Sequence, residues 1–600
     1  MAAPLALKRQ RARNVPRREN FSHFAEVVVD NGIFHLDETF TYGISDGLLQ
    51  EIHPGSLVKV SFRGKPCFGI VWEVTQRSTG EVKPISAIVD PNAVSPSVLK
   101  VIDELRKRYA CSRHDLIRFA ITKRRREKAL ELADNGRSDG KVRFEFALPY
   151  ETLEEQVARL IIESQGVRVV IADTQRNMLA ISNILTKSGA DHLVLNPELG
   201  AKEYAAIQAQ SKQIDSGVVV GLRSLIFGSF SRIDQIFILN EASQHHYEIK
   251  APRWNTRDVG LTRQRIEGFS LTFIGASPSL ELFRLIDSGA VKANRARRSI
   301  NFKRSRTIAS PASHIEVIRN GLKHGCVLVS VAEKEYVEGV ICNKCKTVAK
   351  CSCGGKFRLN REKSLICVLC QATKSNFTCA ECGEHRFLMA RRGALRIAEE
   401  LGKAFPGTLI QVATADKALR LDSAQHSIVI STAGVEPRIA NGYSALILLD
   451  GEFLVNVPLL RAEEDLLARW SALLLLIQSE APVFVSLSQS HLITQSLMAR
   501  DPLRFLRSQL QDRQSLHMPP NWRLIRINGD TRTLNLVRAN LISEFAASIE
   551  ILPVTKDGKL IIKSPHSAAA QLLHSLRVLQ KYRSASKKEL LRIEVDPREI

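Results

Sequence analysis

Eight of the eleven cysteines lie between residues 342 and 382. They form four close pairs: Cys342 and Cys345, Cys351 and Cys353, Cys367 and Cys370, and Cys379 and Cys382. Two thiolates separated by one or two residues can face one metal ion, and four thiolates make a tetrahedral Zn²⁺ site. This spacing predicts two zinc ions per chain and leaves the three other cysteines dispensable for the metal.

The partition of the eight cysteines follows from the segment between the second and third pairs. Residues 356–360 and 363–366 alternate apolar and polar side chains around Arg361 and Glu362, which predicts a short hairpin. The hairpin would bring the second pair beside the third and leave the first beside the fourth. The predicted ligands are Cys342, Cys345, Cys379 and Cys382 for the first zinc, and Cys351, Cys353, Cys367 and Cys370 for the second. Cys353 departs from the pattern, because a single residue separates it from Cys351.

A disulfide framework is the alternative for so many cysteines. Residues 1–7 are too short for the apolar part of a signal peptide, and they run directly into the basic residues Lys8, Arg9 and Arg11. Disulfides are rare in reducing compartments, so we interpret the cysteines as zinc ligands of a cytoplasmic protein. The longest apolar run, residues 472–477, is too short to span a bilayer, and no membrane association is expected.

The charge of the chain indicates the class of partner. Lysine and arginine number 85 against 62 aspartates and glutamates, and the formal net charge is +23. Such an excess is typical of proteins that bind a polyanion such as DNA. The alternative, in which the basic residues only solvate the surface, stays open. An anionic membrane is less favoured, because no strongly amphipathic basic helix with aromatic anchors occurs.

The pattern of the chain predicts a multidomain α/β protein, because 600 residues exceed what one core accommodates. Short β segments with turn residues between them predict a small barrel near the N-terminus, and two later stretches alternate helices with buried strands. The predicted divisions are a flexible basic arm (1–21), a β-rich domain (22–97), a helical and basic linker (98–140), a first α/β lobe (141–303), a second α/β lobe (304–340 and 391–520), the double zinc-binding insert in the second lobe (341–390) and a C-terminal α+β domain (521–600).

Several short motifs accompany this architecture. They are Gly221–Phe227 (similar to G-T-R-S-A-x-F), Ala251–Asp258 (similar to P-R-Y-x-x-R-D), Gly275–Glu281 (similar to G-S-A-T-P-S), Arg461–Glu464 and Val595–Pro597. With them, the chain from about residue 22 to 598 resembles the PriA family of bacterial replication restart proteins, also called primosomal protein N-prime. The resemblance implies two RecA-like helicase-type lobes, a 3′-DNA-end-binding domain at 22–97, a winged-helix region reduced to the basic stretch near 123–128, and the same nested zinc ligands.

The motifs that drive ATP hydrolysis in this ATP-dependent 3′-to-5′ helicase family are degenerate here. The glycine-rich loop G-x-G-K-T is replaced within Phe146–Gln156, which has no glycine or lysine to hold phosphate. D-E-E-H becomes Asn240–Ser243, which lacks the metal-binding aspartate. The arginine segment aligns with Trp470–Ile477, which has no arginine, and G-T-Q-M-x-x-K-G-H-D-F is reduced to Ser431–Pro437. No catalytic residue is expected, ATP with Mg²⁺ is not expected as a functional cofactor, and nucleotide binding between the lobes stays open.

In the N-terminal domain the resemblance implies a pocket for the 3′ end of a nascent DNA strand. Phe40, Gly55 and Lys83 match the family's aromatic, glycine and lysine, and Thr41 replaces the acid expected to bind the 3′-hydroxyl. A core aromatic and a turn glycine are the alternative roles for Phe40 and Gly55.

Together with the cysteines and the basic charge, the resemblance implies a zinc-containing DNA-binding protein that recognises stalled or branched replication forks. It would support primosome reassembly and reloading of the replicative helicase, without helicase activity of its own. The implied partners are forked DNA with a 3′ nascent end, primosome proteins, the replicative helicase with its loader and single-stranded DNA-binding protein. The protein is expected in the cytoplasm, associated with the nucleoid. The alternatives are an active helicase with diverged motifs, and a general zinc-ribbon nucleic-acid protein or nuclease, which would need a cluster of acidic metal ligands.

Overall fold

The structure, a computed structural model, describes most of the chain between Phe21 and Glu599. The described residues are 21–76, 82–121, 140–148, 151–294, 307–309, 313–332, 339–345, 347–352, 355, 357–359, 364–367, 372–374, 376–390, 393–414, 426–457, 459–545 and 548–599. The predicted basic arm up to residue 20, the basic stretch 123–128, Cys353 and Cys370 lie outside them. No helix among the described residues is both long enough and apolar enough to cross a bilayer.

The N-terminal domain is a small barrel. Its strands are β1 (His23–Val29), β2 (Thr39–Ile44), β3 (Leu57–Phe62), β4 (Lys65–Thr75), β5 (Lys83–Pro84) and β6 (Ala87–Asp90), in the order β5-β2-β1-β4-β3-β6. Between β5 and β6, the Ile85 N–H donates to the Gly43 carbonyl at 3.0 Å and the Ser86 N–H donates to the Lys59 carbonyl at 2.8 Å. These bonds join the two ends of the sheet, so the barrel predicted from the turn pattern is confirmed.

Two helices follow the barrel, α1 (Pro96–Tyr109) and α2 (Arg113–Ala120). Proline at the first helical position and the Ser95 side chain, which accepts from the Val98 N–H, begin α1. A capping box between Ser112 and Asp115 begins α2. The buried side chains of α1 belong to one continuous core with the barrel, the first lobe and the C-terminal domain. Helix α1 therefore fixes these three parts of the chain to one another.

The first lobe is a seven-stranded parallel sheet with helices. Its elements are β7 (Val142–Phe146), α3 (Leu153–Ile162), β8 (Val167–Ile171), α4 (Gln175–Lys187), β9 (His192–Leu195), α5 (Ala201–Lys212), β10 (Gly217–Gly221), β11 (Gln235–Leu239), α6 (Thr256–Glu267), β12 (Ser270–Gly275), α7 (Leu280–Asp287) and β13 (Lys292–Asn294). The strand order is β13-β7-β12-β11-β8-β10-β9, and every pair is parallel. Strands β8, β10, β11 and β12 are largely buried, as expected for a parallel sheet covered by helices.

The second lobe is a six-stranded parallel sheet interrupted by the cysteine-rich insert. Its elements are β14 (Thr307–Ala309), α8 (His314–Gly321), β15 (Val327–Ser330), then in the insert β16 (Gly339–Cys342), β17 (Phe357–Leu359), β18 (Leu365–Cys367), β19 (Thr373–Lys374) and β20 (Phe387–Ala390), and after it α9 (Ala394–Ala404), β21 (Leu409–Ala413), β22 (Ser427–Ser431), β23 (Ala445–Leu448), α10 (Gly451–Leu454), α11 (Ala462–Leu473), β24 (Val483–Val485), α12 (Leu492–Ala499) and α13 (Pro502–Ser515). The large sheet has the order β14-β24-β23-β15-β22-β21. In the insert, β17 pairs with β18 in antiparallel fashion, which confirms the predicted hairpin.

The C-terminal domain is α+β. It consists of β25 (Trp522–Asn528), α14 (Thr531–Phe545), β26 (Glu550–Ile551), β27 (Lys559–Pro565), α15 (His566–Ala585) and β28 (Arg592–Val595). The antiparallel sheet has the order β26-β27-β25-β28. The architecture as a whole is the multidomain α/β fold that the sequence predicts, with a β domain first and an α+β domain last.

The two lobes share apolar packing. Leu280 and Phe283 of α7, each 1% exposed, belong to the core of the second lobe together with Leu503 and Phe505 of α13. Burial of a leucine or phenylalanine side chain stabilises by about 1.5–3 kcal/mol each. Apolar packing across the boundary therefore stabilises the relative position of the two lobes.

Candidate nucleic-acid and metal sites

Four cysteines from the two ends of the insert meet at one point. The ligand atoms of Cys342, Cys345, Cys379 and Cys382 all lie within 4.8 Å of one another. The Cys342 and Cys382 sulfurs are 3.5 Å apart, as are those of Cys345 and Cys379. A tetrahedral zinc with Zn–S bonds of about 2.3 Å requires sulfurs about 3.8 Å apart, so the four thiols fit a zinc ion. Cys342, Cys345, Cys379 and Cys382 are free thiols, which does not support the disulfide alternative for these four.

The turn after each cysteine positions its sulfur. The N–H groups of Cys342, Cys367 and Cys379 each donate to the carbonyl five residues later, at 2.9 Å in every case. Cys351 instead donates to the carbonyl of Gly355, four residues later, at 2.7 Å. The turn that contains a single residue between its cysteines is thus one residue shorter and still closes by the same type of hydrogen bond.

The second predicted zinc site is only half described. Cys351 and Cys367 belong to the same small apolar cluster as Phe357 and Leu365 of the hairpin. Cys353 and Cys370, the other two predicted ligands, lie outside the described residues. The described half is consistent in position with the nested arrangement, and the ligand set of this site stays a prediction.

In the barrel, Phe40 and Thr41 lie on opposite faces of β2 because side chains alternate along a strand. The Phe40 ring packs edge-on against Phe62, with 4.9 Å between ring centroids, and joins the barrel core. The Thr41 hydroxyl donates to Glu26 Oε1 on the neighbouring strand at 2.6 Å. A carboxylate therefore lies beside Thr41, contributed by β1, and the sequence alone did not single it out.

At Gly55 the backbone of another segment comes so close that a side chain would not fit. Its φ is +99°, and a Cβ atom there would lie 1.8 Å from the Val94 carbonyl oxygen. Its N–H donates to the Val71 carbonyl at 2.7 Å, and its own carbonyl accepts from the Val94 N–H at 3.1 Å. Both backbone groups of Gly55 are thus used within the protein. These contacts explain the glycine structurally, and a role in DNA contact stays a prediction.

Lys83 lies on the edge strand β5, where it pairs with Tyr42 of β2, and its side chain is exposed. Phe40 and Tyr42 face the same side of β2, because they are two residues apart. The structure therefore brings Lys83 and Phe40 to the same neighbourhood of the barrel, whereas Gly55 is held against the segment that leads into α1.

The segment between β7 and α3 lies where a phosphate loop would be. The Thr152 N–H donates to the Glu155 carboxylate at 2.8 Å, and the Glu155 N–H donates to the Thr152 hydroxyl at 3.2 Å. This capping box uses helix N-terminal donors that would otherwise be available to an anion. Just before it, the Leu148 N–H donates to the side chain of Gln156 at 3.1 Å.

The residues after β11 occupy the position of the metal-binding strand end. The Asn240 side-chain amide donates to the Asp173 carboxylate at 3.1 Å. Glu241 is buried; its carboxylate accepts from Arg257 Nη1 at 2.9 Å and from the Ser279 hydroxyl and N–H at 2.6 and 2.9 Å. A carboxylate engaged in this way is held in place by the protein.

The lobes meet at the N-terminus of α3. Arg438 of the second lobe contacts the Glu154 carboxylate with both terminal nitrogens, and the Nη2–Oε1 distance is 3.0 Å. The Arg176 side chain of α4 donates to the Glu436 carbonyl across the same boundary at 2.9 Å. Sequence reasoning missed both contacts. The only signal was Arg438 itself, which directly follows the degenerate segment 431–437.

Comparison with known proteins gives a match to the N-terminal part. Residues 26–122 match the 3′DNA-binding domain (3′BD) family of PriA. The match spans the barrel, α1 and α2, and therefore includes Phe40, Gly55 and Lys83.

Relatives match nearly the whole chain. The probable replication restart proteins PriA of Mycobacterium bovis and Mycobacterium tuberculosis are each 25% identical over 94% of this chain and 99% of their own length. The replication restart protein PriA of Rickettsia prowazekii is 24% identical over 81% of this chain and 84% of its own length.

Two solved structures are also similar in part. RecG bound to a three-way DNA junction covers 69% of this chain and 46% of its own, with 11% identity and a TM-score of 0.35. Saccharomyces cerevisiae Dbp5 bound to RNA and ADP BeF3 covers 70% of this chain and 97% of its own, with 10% identity and a TM-score of 0.33.

The barrel that matches the 3′DNA-binding domain, the parallel-sheet lobes with their cysteine-rich insert, and relatives along 94% of the sequence lead to one conclusion: the chain is similar over most of its length to PriA replication restart proteins and carries a region that matches the 3′DNA-binding domain.

Proposed function

We propose that this protein recognises stalled or branched replication forks and supports primosome reassembly and reloading of the replicative helicase without unwinding DNA itself. The observation that carries the proposal is the 3′DNA-binding domain at residues 26–122 in a chain related to replication restart proteins over 94% of its length. The proposed partners are primosome proteins, the replicative helicase with its loader and single-stranded DNA-binding protein. The proposed location of the protein is the cytoplasm, in association with the nucleoid.

The cleft between the lobes supports a role without a motor. Phosphoryl transfer requires backbone donors and a lysine around the phosphates, a carboxylate on Mg²⁺, and arginine to neutralise developing charge. At the corresponding places, Thr152 and Glu155 cap each other, Asn240 binds Asp173, and Glu241 binds Arg257 and Ser279. Each of these groups already has a protein partner, so we propose that the lobes act as a frame for the DNA-binding parts.

We propose two structural zinc ions in the insert. Cys342, Cys345, Cys379 and Cys382 would hold the first, and Cys351, Cys353, Cys367 and Cys370 the second. Bound zinc would supply folding free energy to a segment with a small apolar core of its own. Hydrogen bonds that the Cys345 sulfur accepts from the hydroxyl and N–H of Thr347 lower the pKa of this thiol to about 6, which favours its thiolate form at neutral pH.

Binding to forked DNA tests the proposal directly. The affinity should fall as salt rises, with a log–log slope of roughly −0.9 per phosphate contact on duplex, because contacts with lysine and arginine release counterions. Fluorescence anisotropy with forked and plain duplex DNA of equal length, each titrated over several salt concentrations, measures this. Forks should bind more tightly at every salt concentration. Equal affinity for both DNAs, or no salt dependence, contradicts fork recognition.

Substitution of Lys83 should reveal the 3′-end site. Lys83→Ala should weaken binding to forks that carry a nascent 3′ end and should change binding to forks without that strand much less, because the exposed ammonium would contact the strand terminus. The matched control is Lys65→Ala, which removes the same charge from an exposed lysine at the start of β4 in the same barrel. The 3′-end role fails if the two variants weaken all forks equally.

A further inference from the structure

The boundary between the lobes contains a carboxylate at the start of a helix. Glu154 is the second residue of α3, and its side chain is 2% exposed. Its partner Arg438 comes from the other lobe, is 35% exposed and contacts both carboxylate oxygens. A buried carboxylate with a bidentate arginine has a well-defined geometry, because the planar guanidinium matches the two oxygens.

The location of this carboxylate is the one at which α/β proteins bind phosphate. Helix N-termini that follow a parallel strand attract anions, through free N–H groups and the positive end of the helix dipole. Here α3 follows β7, and the negative charge at its first turn comes from Glu154 and Glu155. Glu155 caps its own helix, whereas Glu154 reaches the arginine of the second lobe.

Further contacts cross the boundary beside this pair. Arg176 donates to the Glu436 carbonyl at 2.9 Å, and the Glu436 carboxylate lies 3.6 Å from Arg469 of its own lobe. Burial raises the pKa of Glu436. On another part of the boundary, Leu280 and Phe283 of α7 complete the core of the second lobe. The ion pair, the hydrogen bond and the apolar contact thus all stabilise the same relative position of the two lobes.

We propose that Glu154 replaces a nucleotide phosphate: its ion pair with Arg438 holds the two lobes in one fixed arrangement that needs no ligand. The inference rests on the proposed function as a frame without a motor, and it adds the device that keeps the frame rigid. In a nucleotide-driven machine, a bound phosphate joins the lobes and its loss releases them. A carboxylate that belongs to the chain cannot be hydrolysed or exchanged, so the pair does not depend on a nucleotide cycle.

Charge reversal at the pair tests this inference. Amide hydrogen exchange of the full-length, metal-loaded protein is followed by mass spectrometry in the first turn of α3 and in residues 434–438. Glu154→Arg should speed exchange in 434–438, and Arg438→Glu should speed exchange in the first turn of α3, each by about tenfold or more, because an unpaired buried charge is costly. Each readout lies in the lobe that was not altered, so local disturbance of the substituted segment does not explain it.

The double variant and a control complete the design. Glu154→Arg with Arg438→Glu should return exchange in 434–438 to within about threefold of the unaltered protein, since the reversed pair can form again. The control Glu163→Arg makes the same substitution at the exposed C-terminal end of the same helix, where Glu163 pairs with Arg159 of its own lobe; it should leave 434–438 unchanged. If Glu154→Arg does not fold, Glu154→Gln keeps the shape and removes the charge, and should give a smaller rise in the same segment.

Unchanged exchange in 434–438 with Glu154→Arg or Glu154→Gln overturns the inference, and so does a double variant no better than the single ones. Protection of the first turn of α3 by added ATP and Mg²⁺ in the unaltered protein also overturns it, because a nucleotide would then occupy the place given to Glu154. Fork binding measured on the same samples keeps the two proposals apart. If the exchange results contradict the ion pair while fork binding is intact, only the inference is wrong. If the unaltered protein shows no preference for forks, the proposed function is wrong.

Discussion

Replacement of Cys342 by serine should lower the zinc content of the purified protein from about two ions per chain to about one. A serine hydroxyl does not supply the thiolate that zinc requires, and Cys342 is fully buried between the sulfurs of its predicted partners. Structural zinc contributes about 10–16 kcal/mol to the folding of small zinc modules at neutral pH, so the insert should also become sensitive to protease. Metal analysis by plasma mass spectrometry and limited proteolysis measure the two effects.

The control for this substitution is Cys67→Ser, which alters a cysteine of the barrel outside the insert. It should leave the zinc content at about two ions and the insert resistant to protease. Absence of zinc from the unaltered protein, or two ions retained in Cys342→Ser, would contradict the assignment of the first site.

Hydrolysis of ATP should stay at the background rate, even when forked DNA is present in excess. Enzymes that transfer phosphoryl groups with intact motifs turn over at ~1–100 s⁻¹, so the expected difference is at least several orders of magnitude. The reason is cumulative: the helix N-terminus is capped by its own side chains, Asn240 has no carboxylate for Mg²⁺, and Glu241 is bound by Arg257.

Asn240→Asp should not rescue hydrolysis, because it restores one group and leaves the phosphate-binding lysine and the arginines absent. A coupled assay of ADP release, with a relative that retains G-x-G-K-T as the positive control, provides the measurement. A rate near that of the positive control would show that the lobes are a working motor and would restore the diverged-helicase interpretation.

The features that the sequence predicts well are local ones. Cysteine spacing depends on turns of a few residues, and the hairpin between Cys351 and Cys367 is set by side-chain alternation in residues 356–360 and 363–366. For this reason the spacing and the hairpin together predict the grouping of Cys342 with Cys379, and the fold brings those thiols together. The barrel is predictable for a similar reason, because short strands separated by glycine and asparagine turns leave a clear pattern.

The features that could not be predicted depend on long-range contacts. Glu154 and Arg438 are 284 residues apart in the chain, and nothing near either residue indicates the other. In the sequence Gly55 resembles a pocket residue or a turn glycine, but its constraint comes from the backbone of Val94, thirty-nine positions later. In the sequence, Thr41 stands where the family has an acid, which suggests that the carboxylate is lost. In the fold, the Glu26 carboxylate on the adjacent strand lies 2.6 Å from the Thr41 hydroxyl. Such pairs depend on the register of strands and the docking of domains.

The packing of α7 into the second lobe affects whether either lobe could be lost during evolution. Leu280 and Phe283 are encoded with the first lobe but fill the interior of the second. A gene fragment that began after α7 would leave a cavity in the core of the second lobe, and one that ended just after α7 would expose Leu280 and Phe283 to solvent. Neither lobe is a free-standing piece that deletion could remove cleanly. Selection for solubility alone would therefore preserve both lobes, whether or not they hydrolyse ATP.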